Sequence, residues 1–168
     1  SDLFLLFTMS TPPRCPLVRE MNVKQINYQE RIWHCPKTKA GEAFDFPLSD
    51  EAIKVLKTAQ DISESPTWVF HQNRNVTKPM DENSGRLRFQ KVTDSKATVH
   101  GCRSILHEWA DPLGYDHLIV ELSLQHKALT AVESAYQRTA YLERRRRLIE
   151  DWGKFCWKEI ECRATSTT

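Results

Sequence analysis

Six side chains, Arg14, Lys39, His100, Arg103, His126 and Tyr136, are of the types needed to cleave a phosphodiester without a metal ion. Two planar guanidinium forks can hold the non-bridging oxygens bidentately and offset the charge of a pentacoordinate phosphorane. A phenol is a nucleophile whose phosphotyrosine ester conserves the energy of the broken bond, so the step is reversible. A lysine ammonium can protonate the departing alkoxide, and a histidine can accept the phenolic proton or hydrogen-bond the phosphoryl group. These residues fall in short strings. In His100-Gly101-Cys102-Arg103 the first and last members share a helix face. Gln125-His126-Lys127 follows an apolar stretch, and Ala135-Tyr136-Gln137-Arg138 lies ten residues beyond it. Singly, each string is a weak signal, because a tyrosine or an H-x-x-R pair on a helix more often packs than reacts. Tyr115 and Tyr141 are alternative nucleophiles by type. His34, His71, His107 and His117 read as surface or packing histidines. His34 beside Cys35, and His100 near Cys102, lack the spacing of a four-ligand metal site.

Positioning such groups takes a packed core, and the 168 residues, 40% hydrophobic with five Gly and eight Pro, suffice for one domain spanning 1–168. A charged fraction of 27% excludes disordered, collagen-like and coiled-coil classes. No apolar run approaches the roughly 20 residues of a membrane span, and the apolar opening at 3–7 is too short, and lacks the basic flank, for a signal peptide. Five cysteines without a CxxC pair read as reduced thiols of a cytosolic protein. The net charge of +2 is unevenly spread: 14–39 and 67–103 each carry +4 and 136–168 carries +3, while 40–66 and 104–135 are each −4. Three basic stretches converging on one face would make a nucleic-acid surface; a mixed, solvated surface is the plainer reading of charge alone.

The chain opens on the end of a helix at 3–9, stopped by Pro12 and Pro13. Its start is missing, so the chain reads as cut from a longer one. Residues 31–35 and 43–46, joined by a turn at 37–41, predict a β-hairpin. Ser49 caps a helix carrying Ile53, Val55, Leu56 and Ala59. A loop at 61–66, a short strand or extended piece at 68–70 and a polar loop at 71–80 follow. Helices are expected over 81–92 and 99–110, the latter with Val99, Cys102, Ile105, Leu106 and Trp109 on one face. After a break at Asp111-Pro112-Leu113-Gly114, a short helix runs from Asp116 to Leu124. A helical turn or two at 130–138 then precedes a long terminal helix with Leu142, Leu148, Ile149, Trp152, Phe155, Cys156 and Ile160 in helical period. Arg144 to Arg147 read as its wet side, and Trp152, Phe155 and Trp157 as core or as a face docking on a neighbouring protomer. The fold class is mostly α with a small antiparallel β-sheet (α+β).

Taken in order, the strings resemble the catalytic domain of the tyrosine recombinases, the phage-type site-specific integrases, over nearly all of residues 3–160. Ile32-Trp33, Lys39-Ala40-Gly41 and Phe46-Pro47-Leu48-Ser49 match the family's I-W … K-T/N-G … V-P-L-S. Val99-His100-Gly101-Cys102-Arg103 matches its H-x-x-R box, and Leu122-Ser123-Leu124-Gln125-His126-Lys127 its L-x-H-K segment. Val132-Glu133-Ser134-Ala135-Tyr136-Gln137-Arg138 and Leu142-Glu143-Arg144-Arg145-Arg146 are similar to V-E-x-A-Y-x-R … L-E-x-R-R. The resemblance implies the family's catalytic-domain fold, with Arg14 and Arg103 clamping phosphate and Lys39 as general acid on the 5′-oxygen. It further implies His100 as proton acceptor, His126 as a phosphate-stabilising group, and Tyr136 as the nucleophile of a 3′-phosphotyrosyl link. No metal, ATP or other cofactor is implied. The implied partners are double-stranded DNA attachment sites and three further copies in a tetramer, in a bacterial cytoplasm at the nucleoid, with no membrane. The family's N-terminal core-binding and arm-binding domains are not in these residues, so the isolated chain is expected to be monomeric and to bind DNA weakly, with steep salt dependence.

One string departs. Where the family has T-G-x-R-x-G-E, this chain has Thr11-Pro12-Pro13-Arg14-Cys15-Pro16-Leu17. Proline cannot take the backbone angles of glycine, so the loop must follow a different path. The resemblance therefore implies a divergent active recombinase, with a non-catalytic DNA-binding remnant as the alternative. A relaxing topoisomerase, which shares the chemistry, is a third reading.

Overall fold

The computed structural model describes residues 2–38, 41–93, 101–126 and 131–165, with the backbone alone at 102, 131–140 and 159–165. Helix α1 (Asp2–Ser10) ends ahead of Pro12 and Pro13, as expected from a ring that removes a backbone donor. Helix α2 (Cys15–Arg19) and a single 3-10 turn (Val23–Gln25) lead into strand β1 (Ile26–Asn27). Strands β2 (Ile32–Cys35) and β3 (Phe44–Pro47) pair antiparallel with Trp33 opposite Phe46, and β1 adds to the other edge of β2. Period-two alternation explains the faces. Trp33 and Phe46 stack inward with centroids 5.0 Å apart, whereas His34 and Asp45 meet on the outside at 2.7 Å.

Ser49 caps α3 (Asp50–Asp61) by accepting from the Ala52 N–H at 3.1 Å, with Asp50 and Glu51 in the first turn. Ala52, Val55, Leu56 and Ala59 then face inward. Residues expected as a polar loop instead form a hairpin, β4 (His71–Gln72) and β5 (Asn75–Pro79). Its side chains are too polar to betray it by alternation; backbone pairing alone defines it. The architecture is thus α-rich with two small antiparallel sheets. Helices α4 (Glu82–Thr93), α5 (Gly101–Ala110) and α6 (His117–Ser123) follow, α6 capped by the Asp116 carboxylate. Gly114, at φ +75°, makes the turn between α5 and α6.

The last element corrects the expectation of two pieces: α7 is one continuous helix, Ala131–Thr165. It lies across two apolar cores. The first gathers α1, α3 and the three-stranded sheet around Phe7, Met21, Trp33, Phe46 and Leu56. The second, between α5, α6 and α7, is built from Leu106, Ile119, Val120, Leu124, Leu148, Ile149 and Trp152. Trp152 and Phe155 pack with Trp109 in an aromatic cluster of the second core, and Trp157 packs on the first. Trp152 is therefore core of this chain, and Phe155 and Trp157 are partly buried against it. Ile105, expected inward, is 48% exposed, because the α5 face toward the core is set by Leu106 and Ala110.

The arginine run is likewise not simply wet. Arg145 is buried over the Phe44 ring, 4.6 Å from its centroid, and donates to the Asp45 carbonyl at 3.0 Å. Arg146 donates to the carbonyls of Glu30 and Arg31, and Arg144 pairs with Asp116 at 2.6 Å. Among the described residues no helix is long and apolar enough to cross a membrane.

Candidate functional site

Where the two cores meet, the α1–α2 loop, the start of α5 and the end of α6 converge on one side chain. Arg103 is 6% exposed. Its Nη1 donates to the Pro12 carbonyl and its Nη2 to the Leu124 carbonyl, which ties the two loops together through a planar fork. Its Nε–H is buried without a hydrogen-bond partner among the described residues. Burial first, and the nearby Arg14 charge second, lower its pKa to about 10, so it remains a cation at neutral pH. No carboxylate pairs with Arg14 or Arg103 among the described residues. Two neighbouring cations, one buried and without a counter-ion, make a place where an anion is stabilised.

The altered loop explains how Arg14 arrives there. Arg14 is the N-cap of α2, extended at φ −72° and ψ 144°, and its carbonyl accepts from Leu17 and Val18 at 2.9 and 3.2 Å. Pro16 occupies the first turn, where a missing N–H costs nothing. Thr11 donates from Oγ1 to the Phe7 carbonyl at 2.5 Å and pins the loop to α1. Leu17 packs on the first core in place of the acid of the family pattern. The loop thus ends in a helix start at Arg14, and the Arg103 contact to Pro12 holds it.

The third segment of the site is the end of α6. Gln125 sits at φ +55°, the left-handed position that closes a helix, and its N–H donates to Leu122 while the His126 N–H donates to Glu121 at 2.9 Å. This closure aims the Leu124 carbonyl at Arg103 and leaves His126 exposed, with Nδ1 3.4 Å from Glu121 Oε1.

Arg14 therefore lies beside Arg103, and His126 follows two residues after the Leu124 carbonyl that Arg103 holds, with its ring toward Glu121. Lys39 and His100 lie outside the described residues. Tyr136 is the sixth residue of α7, and its side chain lies outside the description. The alternative tyrosines are otherwise employed: Tyr115 donates to Asp151 at 2.5 Å, and burial together with that carboxylate pushes its pKa up to about 12. Tyr141 packs on the second core. Sequence reasoning missed Glu121, which faces His126 and also His107. Its only trace in the sequence is a carboxylate placed one helical turn after His117.

The phage integrase family model matches residues 1–143. The chain is 25% identical over 154 residues to prophage integrase IntA of Escherichia coli K12, covering 90% of this chain and 37% of that protein. Prophage integrase IntS of the same strain is 25% identical over 162 residues (90% of this chain, 40% of that protein). The integrase of Shigella phage Sf6 is 27% identical over 161 residues (89% and 40%). The chain thus spans 37–40% of the length of these curated relatives. No solved structure matches it.

Proposed function

The chain belongs to the phage integrase family, and from that premise we propose that it is the catalytic domain of a site-specific recombinase acting on double-stranded DNA. The observation that carries the reading is Arg103, a buried guanidinium whose Nε–H has no partner among the described residues and which has a second arginine beside it. A phosphodiester supplies both the charge and the acceptors this pocket of cations lacks.

In the proposed reaction the Tyr136 hydroxyl oxygen attacks phosphorus, the phenolic proton passes to His100, and a 3′-phosphotyrosyl ester forms. The bond to the 5′-oxygen breaks, and Lys39 protonates that oxygen as it leaves. Arg14, Arg103 and His126 carry the charge on the non-bridging oxygens of the transition state. A 5′-hydroxyl from another strand reverses the step, so strands are exchanged without loss of bond energy, metal or ATP. Four copies on two duplexes would complete the exchange, giving integration or excision of a mobile element.

The test uses the protein at its full natural length and an oligonucleotide from its element's junction, nicked so that cleavage cannot reverse. The expected result in EDTA is a covalent protein–DNA adduct that survives denaturant and is lost in Tyr136→Phe. Specific binding without an adduct would support the second reading, a DNA-binding remnant, which the proline-rich path of the Arg14 loop favours.

A further inference from the structure

Histidines that read as surface residues in the sequence cluster with an acid of α6, Glu121, that also faces His126. His107 is in the last turn of α5; His117 and Glu121 are one turn apart on α6. The His107 Nε2 lies 3.2 Å from the His117 Nδ1 and 3.6 Å from the Glu121 Oε1, and the three donor atoms all lie within 4.8 Å of one another. The rings are 5.0 Å apart and inclined at 70°, edge to face and not stacked.

We propose that His107, His117 and Glu121 form a site for a divalent transition metal, zinc being the best match. Tetrahedral zinc with bonds of about 2.0–2.1 Å sets its donor atoms about 3.3 Å apart, and two edges of the triangle seen here, at 3.2 and 3.6 Å, are already near that length. Two neutral imidazoles and one carboxylate are borderline ligands that suit zinc over magnesium or calcium. The surrounding stretch 104–135 carries a local charge of −4, which favours a cation. With three protein ligands on two helices, the fourth vertex is left for water, and the metal would cross-link α5 to α6 beside the second core.

The ligands proposed here are none of the six residues proposed for catalysis, and the site's existence does not depend on the recombination reading. Its consequence does touch that reading, because the same Oε1 of Glu121 faces His126 at 3.4 Å. Zinc bound to Oε1 withdraws that oxygen from His126.

The experiment is zinc titration by calorimetry on the protein stripped with chelator, compared with Glu121→Gln and His117→Ala. Glu121→Gln is nearly isosteric, and His117 is exposed at the start of α6, so circular dichroism should show both variants folded. One zinc per chain is expected, with affinity falling on the order of tenfold or more in each variant. Cobalt substitution should give visible d–d bands of a tetrahedral nitrogen and oxygen site with no thiolate-to-cobalt charge transfer. Absence of binding, unchanged affinity in the variants, or a thiolate band showing capture by cysteines would each overturn the proposal. None of these outcomes depends on whether the protein cleaves DNA.

Discussion

Replacing Arg103 with lysine keeps a positive charge but not both carbonyl contacts, because an ammonium is a point charge and not a planar fork. Arg103→Lys is therefore expected to strand the Pro12 or the Leu124 carbonyl, at about 1–3 kcal/mol, and to lower adduct yield on the order of a hundredfold or more. Thermal melting and the adduct assay read these separately. The Arg14 side chain makes no such carbonyl contacts among the described residues, so Arg14→Lys is expected to reduce the adduct while leaving the melting temperature within error. Equal losses of stability in both variants would refute that division of labour. Tyr115 offers a titration. Its pKa is raised in the fold, so its contribution to stability is fully present below its ordinary value near 10 and is lost as pH rises toward about 12. In alkaline denaturation, wild type should exceed Tyr115→Phe below pH 10, and the difference should disappear by about pH 12. The adduct should form normally in Tyr115→Phe.

Among the elements, the helix ends carry sharp consequences. Gln125 pays for its left-handed backbone with a side chain that crowds its own carbonyl, so Gln125→Gly should stabilise the protein by about 1 kcal/mol, measured by urea denaturation. At the start of α3, a Cβ on Gly153 of α7 would sit 2.7 Å from the Ser49 Cβ and 2.9 Å from the Glu51 Oε2. Gly153→Ala is therefore expected to cost about 1–3 kcal/mol by overpacking, and Ser49→Ala about 1 kcal/mol through the lost cap. The β2–β3 hairpin and α3 were legible in the sequence because alternation, a turn and a capping serine all agree there. The β4–β5 hairpin was not, since a two-stranded ribbon of His, Gln, Asn, Thr and Lys has no apolar face to advertise it. Arg145 misled for a related reason: a guanidinium stacked on Phe44 is locally indistinguishable from one in water. Of the site, the helix that carries Arg103 was legible, while His100, expected on the same face, lies outside the described residues. That Arg103 would bridge Pro12 and Leu124 was not, because backbone carbonyls leave no mark in a sequence.

At the scale of the whole molecule, α7 joins the two cores into one body, and Trp152 is its aromatic anchor in the second core. Trp152→Ala should cost about 3–5 kcal/mol, with the near-ultraviolet dichroism of the Trp109–Trp152–Phe155 cluster reduced before any change in helix content. A smaller loss, with a change only in self-association, would instead make this face a docking surface. The continuity of α7 has a mechanical consequence. Tyr136 stands nine residues, about 14 Å of helical rise, from the Arg145 anchor on Phe44. An α-helix resists axial compression far more than it resists bending, so it behaves as a push-rod: advancing its tyrosine end by even one turn would drag Arg145 off its ring and Trp152 out of its socket.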